Sequence, residues 1–258
     1  MTSKEALPVC ILQATGTNCD QETAYAFKKA GSKPKVTHIN ELIKREDNLR
    51  NYKIIVLPGG FADGDYGGGA GRIFALNLRK TFLKDQLLEF RERGGLIIGI
   101  CNGFQALTEA GLLPSGELGR REVVLDINDV ARFDNRWVNL KFEKENRCDF
   151  LQDMGNEKET VVFQTAHREG KFFAEPDVLN RIEQERLVVF RYCDERGIPT
   201  QEIPKNPNGS LNAIAGLTDP SGKTLGLMPH PERGERTKYG IRPHGLIFQK
   251  MVAYAAQM

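Results

Sequence analysis

Leu96-Ile97-Ile98-Gly99-Ile100-Cys101-Asn102-Gly103-Phe104-Gln105 is a short apolar run that ends in G-x-C-x-G and passes into a helix-forming stretch. That order describes a buried strand turning sharply into a helix, with one thiol at the turn. Small residues two before and two after the cysteine let the backbone turn tightly enough to push its side chain out above a sheet. The helix N-terminus that opens there favours a thiolate through its positive dipole end. The same pattern also fits a buried, inert cysteine, since free cysteine is often buried.

Similar units lie on either side. Val9-Cys10-Ile11-Leu12, Val36 to Ile39 and Ile54-Ile55-Val56-Leu57 read as further strands, the last stopped by Pro58-Gly59-Gly60. Ala24, Phe27 and Ala30 fall at helical spacing, with Asn18 or Asp20 as the expected cap and Gly31 as the stop. Leu83, Leu87 and Phe90 share a helical face that runs to Gly94-Gly95. Apolar runs alternating with amphipathic helices predict an α/β fold, a three-layer sandwich around a mostly parallel sheet.

Beyond Pro114 the pattern changes to antiparallel pieces: Glu122 to Leu125, Trp137 to Phe142, Val161 to Phe163, Leu187 to Arg191 and Asn212 to Leu217. A strand at Thr224 to Met228 precedes Pro229-His230-Pro231-Glu232, and a helix from about Gly245 to Ala256 follows. Residues 201–210, with two prolines and two asparagines, read as a surface loop. No internal repeat or Gly/Ser/Pro linker interrupts the chain, so a single domain over residues 1–258 is expected.

Composition narrows the function. The 258 residues are 40% hydrophobic and 27% charged, which excludes disordered and fibrous classes. A net charge of +2 leaves no basic excess for a run of phosphates, so nucleic acid is not an expected partner. Neither a signal-peptide pattern at Met1 to Gln13 nor an apolar run of membrane-spanning length is present, and a cytoplasmic location without membrane contact is expected. Five scattered cysteines without a CxxC pair (Cys10, Cys19, Cys101, Cys148, Cys193) argue against a disulfide framework and against a zinc site, so no metal is expected. Cys19 is read as a packing residue near the first helix.

A thiol nucleophile needs a base, and the chain has four histidines. His230 is the best placed, because Pro229 and Pro231 hold its backbone extended and put Glu232 on the same side, able to orient the imidazole. His167 is second choice as base and reads as a loop residue lining the pocket; His38 and His244 are left as ordinary side chains. Negative charge on an attacked carbonyl oxygen would meet the backbone N–H of Asn102, with Gly59 or Gly60 as a second donor whose missing Cβ permits close approach. An ordinary turn is the alternative at that position.

The 26 glycines are about a tenth of the chain, where about 7% is usual. Gly59, Gly60, Gly64, Gly67, Gly68, Gly69 and Gly71 crowd into one stretch. A glycine-rich loop can cradle phosphate, but no Gly-Lys-Ser/Thr follows and the G-x-G-x-x-G spacing is not met. A mobile or partner-shaped loop beside the thiol is the better reading.

Four runs together carry a family resemblance: Pro58-Gly59-Gly60-Phe61, Gly64-Asp65-Tyr66, Gly99 to Gln105, and Gly226-Leu227-Met228-Pro229-His230-Pro231-Glu232-Arg233. They resemble the triad-type (class I) glutamine amidotransferases. Thr15 to Asp20, Phe190-Arg191-Tyr192 and Asn206 to Gly216 narrow the resemblance to the glutaminase subunits of phosphoribosylformylglycinamidine synthase, in purine biosynthesis. The resemblance implies a flavodoxin-like α/β sandwich. It also implies that Cys101 attacks the side-chain amide of L-glutamine, with His230 and Glu232 as its partners, Gly60 and Asn102 as the oxyanion hole, and Gln105, beside Gly59 and His167, holding the substrate.

Ammonia would pass to a separate synthetase subunit, which uses ATP and Mg to convert formylglycinamide ribonucleotide to formylglycinamidine ribonucleotide; a small third subunit often completes such complexes. No cofactor is expected on this chain. An amidotransferase serving another synthetase, or a non-catalytic module on the same fold, are the competing readings. Two stretches depart from the family pattern: Gly67 to Arg72 with the long run to Lys84, and Pro243-His244-Gly245-Leu246 in place of an acidic-Gly-Leu sequence.

Overall fold

The structure, a computed structural model, describes residues 6–65, 69–157, 159–237, 240–242 and 245–258. The chain opens with β1 (Pro8–Gln13), α1 (Asp20–Lys29), β2 (Lys33–His38), α2 (Ile39–Ile43) and β3 (Ile54–Leu57). Next come α3 (Arg72–Leu78), α4 (Thr81–Glu92), β4 (Leu96–Ile100) and α5 (Asn102–Ala110). The middle holds β5 (Val123–Ile127), β6 (Asp134–Phe142), α6 (Met154–Glu157), β7 (Thr160–His167), β8 (Glu169–Ala174), α7 (Pro176–Gln184) and β9 (Val188–Cys193). The last elements are β10 (Ile214–Thr218), β11 (Thr224–Leu227), β12 (Glu235–Thr237), β13 (Gly240–Arg242) and α8 (Leu246–Ala255).

Among the described residues nine strands form the main sheet, in the order β2-β1-β3-β4-β11-β10-β9-β6-β7. The first five run parallel, and from β11 onward each neighbour is antiparallel. The two halves differ in sequence for a physical reason. Parallel strands covered by helices on both faces are apolar throughout, and every residue of β3, β4 and β11 is buried. At the edge, β2 alternates in exposure and tolerates Pro34, whose missing N–H would cost a ladder bond in an inner strand.

Right-handed crossovers place the β1–β2 connection on one face and the β2–β3 and β3–β4 connections on the other. The helix contacts agree: α1 packs on α8, while α3 meets α4 and α5, and α2 meets α4. On the first face Phe27 of α1 meets Phe248 of α8 edge to face at 4.9 Å between centroids. On the other, α5 buries nearly its whole circumference between the sheet and α3.

Several sequence expectations need correction. Cys19, not Asn18 or Asp20, is the N-cap residue of α1, and no side chain caps that end; the Asp20 carboxylate instead accepts from Gln13 and Gln21. The second strand ends at His38, because His38 and Glu41 form a capping box that starts α2 at Ile39. Residues 201–210 are a surface loop only at the start: Asn206, Asn208 and Ser210 are buried. Asn206 and Asn208 both accept from the Ser210 N–H, and Asn208 donates to Gly170 O and Tyr192 Oη. Helix α3 emerges directly from the glycine run, where Gly71 adopts φ +75°. Tyr66 to Gly68, Pro243 and His244 lie outside the described residues.

Candidate active site

Three neighbouring parallel strands build the site. Leu57 of β3 stands beside Gly99 of β4, which stands beside Gly226 of β11, so all three chains leave the sheet at one edge. In open α/β sheets this carboxyl edge is where ligands bind. Pro58-Gly59-Gly60 follows β3, Cys101 follows β4, and Met228-Pro229-His230 follows β11.

The Cys101 turn is tight. Its backbone sits at φ 51°, ψ −107°, a conformation that costs a non-glycine residue about 1–3 kcal/mol. The fold holds it there through Cys101 N–H to Leu227 O at 2.8 Å and Gln105 N–H to Cys101 O at 3.0 Å. The flanking glycines are steric requirements. A Cβ on Gly99 would lie 2.6 Å from Gly103 O, and one on Gly103 would lie 1.9 Å from Leu57 O. The Cys101 thiol is buried, and it donates to Ala166 O at 3.8 Å.

His230 meets it from β11. Its N–H bonds Gln164 O of β7 at 2.7 Å, and its Nδ1 lies 2.6 Å from Glu232 Oε1. Both side chains are buried. Residues 231–233 form a 3-10 turn, so the contact comes from that turn and not from a continued extended strand. Burial pushes the His230 imidazole towards neutrality, but the charges of Glu232 and Cys101 outweigh it and hold the pKa well above the ordinary histidine value. With Nδ1 engaged, Nε2 is left without a hydrogen-bond partner among the described residues. The ring interacts with the thiols of both Cys101 and Cys19.

The walls of the cleft enclose about 520 Å³. Asn102 opens α5; its Oδ1 accepts from Ala62 N–H and its Nδ2 donates to Gln105 Oε1 at 2.9 Å. Gln105 in turn donates to Glu169 O at 2.5 Å, so its amide is fixed as part of the wall. Gly60 lines the cleft at φ +135°, where a Cβ would strike Asn18 N at 2.6 Å. A Cβ on Gly59 would reach His230 Cε1 at 2.8 Å. His167 lines the cleft too, not from a loop but as the last residue of β7. Burial, and then the nearby His230 charge, pull its pKa to about 3, so the ring is neutral while Nδ1 contacts Asn128 Oδ1 at 3.2 Å.

Comparison with known proteins shows the family to which the chain belongs. The model of the CobB/CobQ-like glutamine amidotransferase domain matches residues 6–250. The "phosphoribosylformylglycinamidine synthase subunit PurQ" of Methanococcus maripaludis is 43% identical over 87% of this chain and 81% of its own length. Its namesake from Dehalococcoides mccartyi is 42% identical over 96% and 97%. The chain belongs to the PurQ family of glutamine amidotransferases. A chain of the solved structure of PurLQS from Thermotoga maritima superposes with a TM-score of 0.68 at 28% identity, covering 98% of each chain.

For a PurQ-family chain, sequence reasoning named the residues of the β3, β4 and β11 edge and missed what other segments add. Cys19 is no mere packing residue: it lines the cleft, donates to Asn18 Oδ1 at 3.4 Å and accepts from Arg233 Nη2 at 3.4 Å. Arg233 also donates to Glu22 at 3.1 Å. Ala166, Arg168 and Glu169 bring the turn from β7 to β8 into the wall. A lone cysteine or a strand-end alanine carries no local signal of such a place.

Proposed function

We propose that this chain hydrolyses L-glutamine through a thioester on Cys101 and delivers the ammonia to a synthetase subunit of phosphoribosylformylglycinamidine synthase. The observation that carries the reading is the convergence of Cys101, His230 and Glu232 at one sheet edge, with Nδ1 of the imidazole bound to a buried carboxylate. Glu232 accepts the Nδ1–H, fixing the tautomer that presents Nε2 as proton acceptor. Nε2 takes the Cys101 proton, and the sulfur attacks the glutamine side-chain carbonyl carbon. The oxygen, now negative, meets the N–H groups of Gly60 and Asn102.

Collapse of the tetrahedral species breaks the C–N bond as His230 returns the proton to nitrogen, and ammonia leaves. Water, deprotonated by His230, then cleaves the glutamyl thioester to release glutamate. Gln105, Gly59 and His167 form the wall against which the substrate is held. ATP and Mg act on the synthetase subunit, where formylglycinamide ribonucleotide becomes formylglycinamidine ribonucleotide. A small third subunit completes the assembly. Among the described residues no helix is long and apolar enough to cross a membrane.

The test measures glutamate release by the chain with and without the synthetase subunit, Cys101→Ala serving as control, together with the mass of the protein after exposure to an electrophilic glutamine analogue. Turnover in the complex and one label, both abolished in Cys101→Ala, are expected. Label that survives Cys101→Ala, or a complex that makes product only from free ammonia, would overturn the proposal.

A further inference from the structure

Beside the proposed thiol nucleophile, His230 and Glu232 are shared with a second cluster, whose other two members, Cys19 and Glu22, have no part in the proposed chemistry. One ligand atom from each of Cys19, Glu22, His230 and Glu232 lies within 4.8 Å of all the others. A thiol, an imidazole and carboxylates are the donor set that borderline-soft divalent cations select, above all zinc. The spacing of structural zinc motifs is absent from the sequence; the fold alone brings α1 and the segment after β11 together. The His230–Glu232 pair has the arrangement found behind metal-bound histidines, a carboxylate on one ring nitrogen that leaves the other for the metal. That other nitrogen, Nε2, is buried and without a hydrogen-bond partner among the described residues, as is Glu232 Oε2.

We propose that Cys19 Sγ, His230 Nε2 and the Glu22 carboxylate form an inhibitory zinc site, with Glu232 orienting the imidazole from behind. Binding displaces the Cys19 thiol proton, together with any proton held on His230 Nε2, to solvent and leaves thiolate and carboxylate to balance the two charges of the ion. The fourth position of a tetrahedral ion stays open to water. Zinc on Nε2 occupies the nitrogen that must accept the Cys101 proton, so glutamine hydrolysis stops; this consequence rests on the role proposed for His230, whereas binding itself does not.

Arg233 sets the threshold. Its guanidinium already donates to both Cys19 Sγ and Glu22 Oε1, standing as the resident cation of the cluster. Its side chain is about a quarter exposed and can swing towards solvent, but zinc must displace it. Removing Arg233 therefore strengthens the site.

The experiment titrates the purified chain with zinc against a chromophoric chelator, and with cobalt to observe thiolate-to-metal charge transfer. In parallel it measures zinc inhibition of glutamine hydrolysis in the complex. Wild type and Cys101→Ser are expected to bind one zinc each. Cys19→Ser and, independently, Glu22→Gln should weaken binding about tenfold or more, the least expected for loss of a direct ligand. Whatever turnover Cys19→Ser retains in the absence of zinc should resist inhibition by zinc, and Arg233→Gln should bind zinc more tightly than wild type. Zinc and the thiolate band lost in Cys101→Ser but kept in Cys19→Ser would overturn the proposal, placing the ion on the other thiol. So would the absence of stoichiometric binding to wild type and Arg233→Gln alike. A chain that binds zinc through Cys19 yet never hydrolyses glutamine would instead refute the functional reading and leave the metal site standing.

Discussion

Gly103→Ala tests the steric logic of the site. The added Cβ would lie 1.9 Å from Leu57 O, a backbone atom of an inner strand that no rotamer change can move. An ordinary carbon–oxygen contact needs about 3.3 Å, so α5 and β3 must separate by roughly 1.4 Å. Gly103 is the second residue of α5, where alanine returns at most about 1 kcal/mol over glycine, while forced overpacking costs about 1–3 kcal/mol and here sits at or above the top of that range. The expected net loss is about 2 kcal/mol, which lowers Tm by roughly 4–8 °C in a chain of this size.

Function should suffer more than stability. Asn102 and Gln105 ride on α5, and Gly60 follows β3, so the same separation opens the cleft between them. A misplacement of about 1 Å costs on the order of 100-fold in rate. Thermal unfolding and glutamine hydrolysis by the complex measure the two effects, with Gly31→Ala as control. At Gly31 a Cβ meets nothing within 4 Å, and only its φ of +91° resists substitution. About 1 kcal/mol and unchanged turnover are expected there. A Gly103→Ala protein that melts with wild type and hydrolyses glutamine at the wild-type rate would refute the reasoning.

Three further outcomes follow from the same geometry. Glu232→Gln removes the acceptor that fixes the His230 tautomer and should lower kcat by about 10³–10⁴-fold with little change in KM; steady-state kinetics would expose a merely structural role as a fold defect with normal turnover of the surviving fraction. Asn208→Ala strips partners from Gly170 O, Tyr192 Oη and Ser210 N–H, and should cost about 2–3 kcal/mol in urea unfolding, whereas a shift below 0.5 kcal/mol, about that of an ordinary surface change, would contradict the buried network. Asp47 sits between opposing effects: burial pushes its carboxyl up, but bonds from Lys35, Tyr52, Asn48 N–H and Asn51 outweigh it and hold the pKa at about 2, below the ordinary 3.8. A depressed folded-state pKa gives stability that is fully present above pH 3.8 and lost as pH falls towards 2. Asp47→Asn should therefore cost about 1–2 kcal/mol at pH 7 and markedly less at pH 2; equal cost at both would refute the linkage.

The parallel half of the sheet was legible because inner strands must be apolar on both faces. Ile54 to Leu57 and Leu96 to Ile100 were delimited in the sequence as they stand in the fold. The Cys101 turn was legible for a related reason, since two close backbone approaches demand glycine at 99 and 103. The remainder depends on distant partners. Strand β8 begins Glu169-Gly170-Lys171 and gains its place only by pairing with β5 in a separate ribbon. Asn206 to Ser210 has the composition of an exposed turn, yet its side chains satisfy one another and so can be buried. Cys19 owes its surroundings to Arg233, more than two hundred residues further along the chain.

Strand β11, only four residues long, lies between β4 and β10 in the middle of the sheet although it is among the last segments of the chain. It supplies the Leu227 carbonyl that anchors the Cys101 turn, and the chain beyond it carries His230. During synthesis the thiol at position 101 emerges long before the strand that completes its environment, which pairs with β10 as one arm of a hairpin. Long-range pairing such as that of β11 with β4 is slow to form. The nascent chain therefore carries an unarmed cysteine, and the ability to liberate ammonia arrives only once the sheet has been closed from its C-terminal end.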